Sequence, residues 1–512
     1  MSDSEIELKL AVDPSDLPRI ESLAELGSGR STRKRLESVY FDTEDRRLRA
    51  RDVTLRVRRQ GSHYVQTVKA ARERAGGLLS RGEWEVRVAG GEPDLARFGD
   101  GPARDHLGLL AVEELRPLFA SHIERDVRIV TGGNGDGTAI EVAIDRGEIR
   151  TSEGAVLPVC EIELELKRGE RRTLFELALR LAESVPVRLE TRSKSDRGSA
   201  LASRTPPAAA KAAPVGISGD WTVERALEEI LRCCIEHLGA NEGAALEGTP
   251  EGIHQTRVAL RRMRSALTLF RSLLPEDQHA WFVGEVRWLA GELGPVRDWD
   301  VFLGELLPPV EEAGIGGAKM AGLRIVAEQA RDAAGRRARD ALLSRRRAVL
   351  ALRMGAWIEA REWRRQDVSE AAADLFAPIE DFAGALLDKR HRQALRRGRG
   401  FRKLDAEGRH ELRIALKKLR YACEFFQSLY EPKPVARFWK QLSALQSALG
   451  HLNDVVTAAR LLDGVAPEGG GMAPDGAGIV VGWHGRGVAE LEPRIASRWE
   501  SFVASEPFWA RG

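Results

Sequence analysis

The sequence predicts an α+β protein of more than one domain. An antiparallel β-barrel tunnel with flanking helices comes first, and an all-α bundle built by duplication follows. Three observations carry this. Five stretches up to Leu166 alternate charged and apolar residues, a period of two that belongs to strands. Past a Pro- and Ala-rich segment at 203–219 that alternation stops, and long Ala/Leu/Arg/Glu runs with helical spacing take over. Two motifs in the later half recur at one offset.

Bulk properties narrow the setting. A chain of 512 residues is too long for one core. Its 79 Lys and Arg nearly balance 77 Asp and Glu, so net charge does not select an anionic partner. Cys160, Cys233, Cys234 and Cys423 lack disulfide or metal spacing, which fits a reducing compartment. The acidic start carries no apolar leader and no window approaches a membrane span, so a cytoplasmic protein without a membrane partner is expected.

In chain order, Glu5–Leu10 is the first strand, and Pro14–Leu26 reads as a helix with Leu17, Ile20, Leu23 and Leu26 on one face. Strands follow at Glu37–Asp42, Val53–Arg59 and Tyr64–Ala70, then a turn at Gly76–Arg81 and a strand at Arg81–Val88. Residues 90–118 suggest one or two short helices. Ile123–Val130 and Ile140–Asp145 form a hairpin around the Gly/Asn/Asp cluster Gly132–Gly137. Val159–Lys167 is the densest acidic strand, Leu174–Ser184 is an amphipathic helix, and Leu189–Ala200 ends the domain.

The charged faces carry both signs: Arg56 and Arg58 on one strand, Glu83, Glu85 and Arg87 on another, and Glu161, Glu163 and Glu165 on a third. A barrel with apolar residues outward under helices and charges on a polar lumen accounts for them. Arginine and lysine there suit polyanionic phosphate, and the carboxylates suit a hard divalent cation. Glu5-x-Glu7-x-Lys9 resembles the ExExK signature of the CYTH domain, the triphosphate tunnel metalloenzymes, and the later strands match that family in order across about residues 1–200. Tyr40-Phe41-Asp42-Thr43, Lys69, Arg125 and the closing Lys194-Ser195-Asp196-Arg197 resemble further family segments.

The resemblance implies metal-dependent hydrolysis of a triphosphate. Lys9, Arg56, Arg58, Lys69, Arg87 and Arg125 would clamp phosphate oxygens, joined by Lys194 and Arg197. Glu5, Glu7, Glu163 and Glu165 would hold Mg²⁺ or Mn²⁺. Asp145, Glu161, Glu83, Glu85 and Glu141 are second-tier ligands or partners of the arginines, with Glu85 placed beside substrate. The water-activating base stays unassigned. The family includes inorganic triphosphatases, thiamine triphosphatases and adenylate cyclases.

In the helical half His254-x-x-Arg257 through Arg264 recurs as His410-x-x-Arg413 through Arg420, and Leu293-Gly294-x-x-x-Asp298 as Leu449-Gly450-x-x-x-Asp454. Both pairs lie 156 positions apart (254 to 410, 293 to 449), so two homologous bundles are expected at about 220–355 and 372–508, with a Gly/Pro loop at 465–478. Helical spacing aligns His254, Arg257, Arg261 and Arg264 in one stripe and His410, Arg413, Lys417 and Arg420 in another, widened by Arg262 and Lys418. The repeated motif resembles the CHAD domain, which implies binding of inorganic polyphosphate. Inorganic triphosphate is then the favoured substrate and nucleic acid the disfavoured partner. A non-catalytic protein of polyphosphate granules and an adenylate cyclase are the alternatives.

Overall fold

A computed structural model describes residues 5–26, 31–75, 78–132, 137–365, 370–464 and 476–510. The chain divides into two units, one of Met1–Ala208 with Leu343–Glu362, the other of Ala209–Leu342 with Trp363–Gly512.

The first unit is built on strands β1 (Glu5–Val12), β2 (Thr32–Thr43), β3 (Thr54–Gln60), β4 (His63–Ala75), β5 (Leu78–Val88), β6 (Leu115–Thr131), β7 (Ala139–Thr151), β8 (Val156–Arg168) and β9 (Val187–Leu189). Their order is β5-β4-β3-β2-β6-β7-β8-β1-β9, and β5 also pairs with β1. That pairing closes eight antiparallel strands into a barrel, with β9 appended beside β1.

Parity along each strand decides which side chains face in. Leu8, Leu10, Val142, Ile144, Ile162 and Leu164 point outward and are essentially inaccessible, packed on Leu174, Phe175, Ala178 and Leu181 of helix Arg172–Ser184. Leu55, Val57 and Val68 do the same beneath Leu95, Ala103 and Leu107. The alternate residues, mostly charged, face the lumen.

The interior is not charged throughout. One end is filled by Tyr40, Phe119, Ile149 and Val159, packed with Leu201 and Ala202 of helix Lys194–Ala202. Gly198 is needed there, because a Cβ would lie 2.2 Å from Phe119 Cε2.

Several boundaries differ from the sequence reading. The expected helix at Pro14–Leu26 is a short helix, Leu17–Glu21, flanked by 3₁₀ turns. Leu78–Arg81 belongs to β5 rather than a turn, while Gly76 and Gly77 lie outside the described residues, as do most of Gly132–Gly137 and 465–475. β6 begins at Leu115, earlier than expected, because Pro117 reads as a break yet sits at a bulge where the register with β2 shifts between Tyr40 and Phe41.

Helix Arg345–Glu359 also belongs to the first unit. Ala348, Ala351, Leu352 and Ala356 join the core on helix Arg172–Ser184. The sequence gives no sign of this, since a small-residue face suits many neighbours.

In the second unit the duplication is plain. Helices begin at Val223 and Ile379, at Pro250 and Ala406, and at Glu276 and Pro432. Each pair keeps the offset of 156 positions. The third pair differs beyond its start: Pro295 divides the first copy at Gly294, whereas Pro432–Asp463 runs unbroken past Gly450. Much of the Ala/Pro segment is anchored on this unit. Asn241 accepts from Ala210 N and donates to Ala210 O, both at 2.9 Å, and Ser428 Oγ accepts from Ile217 N at 2.9 Å.

Gly355 should be intolerant of side chains, because a Cβ would stand 2.2 Å from Phe175 Cε1. Gly355→Val should lower stability by about 1–3 kcal/mol through overpacking, read as a lower thermal midpoint. Phe175→Leu in the same chain should recover part of the loss.

Candidate active site

Three adjacent strands place the acidic residues in rows. Glu141 on β7, Glu165 on β8 and Glu7 on β1 stand abreast, then Ala143, Glu163 and Lys9, then Asp145, Glu161 and Ala11. Across the barrel Ser38 pairs with Arg58 and Tyr40 with Arg56. Thr54 pairs with Lys69, and Lys69 in turn with Glu83. These inward positions enclose a cavity of about 270 Å³.

Most charges inside are compensated. Lys9 Nζ donates to Glu7 at 2.7 Å and to Glu163. Lys69 donates to Glu5 at 2.6 Å and lies 3.0 Å from Glu83, which also accepts from Arg56 at 3.1 Å. Arg125 grips Asp145 with two bonds of 2.7 and 2.6 Å and reaches Glu163. Lys194 lies among Asp145 at 2.6 Å, Glu163 at 3.0 Å and Glu161, and Arg197 pairs with Glu161. Burial works against the Lys9 ammonium, yet Glu163 and Glu7 hold it above the ordinary lysine range. Burial likewise pushes Glu163 up, but Lys194, Lys9 and Arg125 hold it well below the usual carboxylate range.

At two places the signs are less evenly matched. Among the described residues Arg58 has no carboxylate partner and reaches only Ser38 Oγ, at 3.3 Å. Burial, then Arg56 and Arg125, pull its guanidinium down to about 10. The opposite imbalance lies at the row of Glu7, Glu141 and Glu165. Burial pushes the Glu165 carboxyl up and Glu5 and Glu141 add to it, against Lys167 alone. One wall therefore carries an arginine with no ion-paired carboxylate, and the other sets three carboxylates against Lys9 and Lys167, which stand 2.7 Å from Glu7 and 2.5 Å from Glu165.

A divalent cation needs several oxygen donors, and the second wall sets the Glu7, Glu165 and Glu141 carboxylates abreast on three adjacent strands. Asp145, Glu161 and Glu163 also bring one oxygen each within 4.8 Å of one another. That triad is held by Lys194, Arg125 and Arg197, just as Lys69 holds Glu5, Lys9 holds Glu7 and Lys167 holds Glu165, so a cation at either place would compete with these ammonium and guanidinium groups.

Of the residues expected here, Glu5, Glu7, Lys9, Arg56, Arg58 and Lys69 line the cavity, as do Glu85, Arg125, Asp145, Glu163, Glu165 and Lys194. Glu161 and Arg197 lie buried behind it, and Arg87 is exposed outside it. Sequence reasoning missed Arg81, Ser38, Tyr40 and Ser121 as lining residues. Arg81 was findable, since it shares parity with Glu83 and Glu85. Asp42 of the Tyr-Phe-Asp-Thr segment serves structure instead, accepting from the backbone N–H groups of Thr43, Leu48 and Arg49.

In the second unit the two stripes meet. Arg261 and Arg264 from one repeat and His410, Arg413, Lys417 and Lys418 from the other line a cavity of about 250 Å³, to which Arg390 adds. Asp298 faces Arg257 and Asp454 faces Arg413, equivalent pairs in the two copies. Burial, then Arg413 and Arg261, push the Lys417 amine down to about 7. Burial and Arg297 push His254 down to about 4, so its imidazole is neutral near pH 7. Four expected residues do not line this cavity: His254, Arg257, whose guanidinium donates to Ala290 O at 2.7 Å, Arg262 and Arg420. Arg262 is wholly buried, paired with Glu424 at 2.6 Å, because its position faces the bundle core. Arg420 lies over the rings of Tyr421 and Trp439.

The family model of the CYTH domain matches residues 3–199, and that of the CHAD domain matches residues 229–463. An inorganic triphosphatase of Haemophilus influenzae is 30% identical over 209 residues, covering 39% of this chain. The match spans little more than half of that relative, 55% of its length. The crystal structure of the CHAD domain from the plant Ricinus communis is 32% identical, with a TM-score of 0.50, covering 58% of this chain and 98% of that one. Among the described residues no helix is long and apolar enough to cross a membrane.

Lys194→Met should leave the Asp145, Glu161 and Glu163 carboxylates short of counter-charge. In chelator, a loss of about 3–5 kcal/mol in denaturant unfolding is expected for removing one partner of a buried ionic cluster.

Proposed function

We infer that this chain, which belongs to the CYTH domain family through its barrel and to the CHAD domain family through its helical half, is a metal-dependent hydrolase of inorganic triphosphate whose helical half binds polyphosphate. The observation that carries the first part is the asymmetry of the barrel cavity, with an uncompensated Arg58 on one wall and crowded carboxylates on the other. An anion that brings its own divalent cation satisfies both walls together. The relative from Haemophilus influenzae supports the choice of triphosphate.

Phosphoryl transfer asks chiefly for positioning and charge neutralisation. Arg56, Arg58 and Arg125 face the lumen from β3 and β6 and are placed to bind phosphoryl oxygens, with the Ser38 hydroxyl beside them. Burial disfavours the phenolate of Tyr40, but Arg56 and Arg58 outweigh it and draw the phenol below its usual range, so Tyr40 is a good donor toward the same anion. Lys9 and Lys194, pinned by carboxylates, fix the side chains around them. Glu5, Glu7, Glu163 and Glu165 would hold Mg²⁺ or Mn²⁺, which when bound supplies charge neutralisation at the phosphate and activation of water.

Phosphate release from tripolyphosphate should need a divalent cation and should exceed release from ATP. Glu7→Gln with Glu165→Gln should lower kcat roughly 10²-fold or more, with the fold intact by circular dichroism. Unchanged turnover in that double variant would sink the assignment of the carboxylate wall.

The cationic cavity of the helical half is suited to a polyanion because no carboxylate among the described residues lines it. A bound polyanion favours the charged form of Lys417, whose amine lies near 7 in the free protein. Binding should therefore take up protons, and polyphosphate affinity should rise as pH falls from about 8 to 6. Calorimetry in two buffers of different ionisation enthalpy reads the proton uptake, and Lys417→Arg should abolish it.

A further inference from the structure

The two copies of the helical repeat are not equivalent, and three of the positions where they differ lie together. The offset of 156 pairs Arg262 with Lys418, Thr268 with Glu424, and Cys234 with Arg390. In the constellation Arg262, Glu424 and Cys234 the site is closed. Arg262 is fully buried, its guanidinium ion-paired to Glu424 and set over the Phe425 ring, and Cys234 is buried among them. In the equivalent constellation Lys418, Thr268 and Arg390 it is open. The carboxylate that would pair with the cation is replaced by the Thr268 hydroxyl, and the neutral thiol by a second cation. Lys418 and Arg390 then face a cavity of about 250 Å³ with Arg264 and Tyr421, and no carboxylate among the described residues lines it. Among the described residues Arg390 reaches only Gln393, at 3.3 Å.

We propose that this open constellation of Arg264, Thr268, Arg390 and Lys418 is a pocket for the terminal phosphoryl group of a polyphosphate chain, so that the helical half holds polyphosphate by an end and in one direction. The proposal rests on the polyphosphate reading above. An internal phosphate of such a chain carries one charge, whereas an end group carries up to two, its second proton leaving near pH 6 as in a phosphate monoester. A cluster of three cations with a hydroxyl, and no acid among its lining residues to compensate it, favours the more highly charged and less substituted group. The twin site, neutralised by Glu424, offers nothing to a second end.

The test compares linear polyphosphate of short defined length with cyclic trimetaphosphate, which has no ends. Binding to the full chain in chelator is followed by hydrogen-exchange protection of helices Pro250–Leu269 and Ala406–Phe426, which reports this pocket apart from the barrel. Linear chains should protect at concentrations about tenfold lower than the cyclic phosphate. Thr268→Glu, which supplies the carboxylate of the twin, should remove that advantage, while Thr268→Gln should keep it. If Thr268→Glu does not fold, Arg390→Cys must show the same loss. Equal protection by linear and cyclic phosphate, or an equal loss of both in Thr268→Glu, overturns end recognition and leaves a general polyanion groove. Absence of protection by either ligand in the unaltered protein overturns the polyphosphate reading itself.

Discussion

The barrel depends on burying charge in balance. Removing an isolated ion from water costs several kcal/mol even after relaxation, so a lumen lined by lysines, arginines and carboxylates is stable only where opposite signs interlock. Glu163 shows how tightly. It accepts from Lys9, Arg125 and Lys194, three cations on three different elements: strand, strand and closing helix. The apolar faces outside pay for none of this by direct contact. They fix the strand register that brings the partners opposite one another. A slip of one residue in β1 or β8 would send Glu7, Lys9 and Glu163 into the outer core.

Where the balance is deliberately incomplete, ligand chemistry follows. Arg58, with no ion-paired carboxylate among the described residues, and the Glu165 row, with three carboxylates against Lys9 and Lys167, are the two places where the signs are least evenly matched, one on each side of the same cavity. The helical half works on a different rule. It concentrates one sign, letting burial and mutual repulsion press Lys417 and Lys418 toward neutrality. A barrel that compensates its charges can hold a small ligand rigidly, whereas a cluster of like charges favours any polyanion that can reach it.

Much of this was legible in the sequence because a period of two and a period of 3.6 each assign faces without reference to the rest of the chain. Glu5, Glu7, Lys9, Arg56 and Arg58 were recovered that way, as were Arg261 and Lys417, whereas Lys69 came from the family resemblance. What failed depended on tertiary neighbours. Arg262 looked like an extension of its stripe, but a helix position one residue on turns about a quarter of the circumference, enough to enter the core. Tyr40 stood out only as part of the Tyr-Phe-Asp-Thr segment, and Ser38 not at all, because nothing local marks a phenol or hydroxyl as facing arginines. The apolar end of the barrel was hidden for the opposite reason, since Phe119 and Ile149 alternate as any half-buried strand does.

The first unit is assembled from two separated stretches of chain, Met1–Ala208 and Leu343–Glu362, with about 130 residues between them. During synthesis at about 5–20 residues per second, the barrel strands are complete roughly 10–30 s before the helix that covers Phe175 leaves the ribosome. For that interval the face of helix Arg172–Ser184 that will meet Ala348 and Leu352 has no cover, and the nascent barrel is open to premature association. Ribosome-bound chains arrested near residue 210 are therefore the species in which chaperone dependence of this protein would be concentrated.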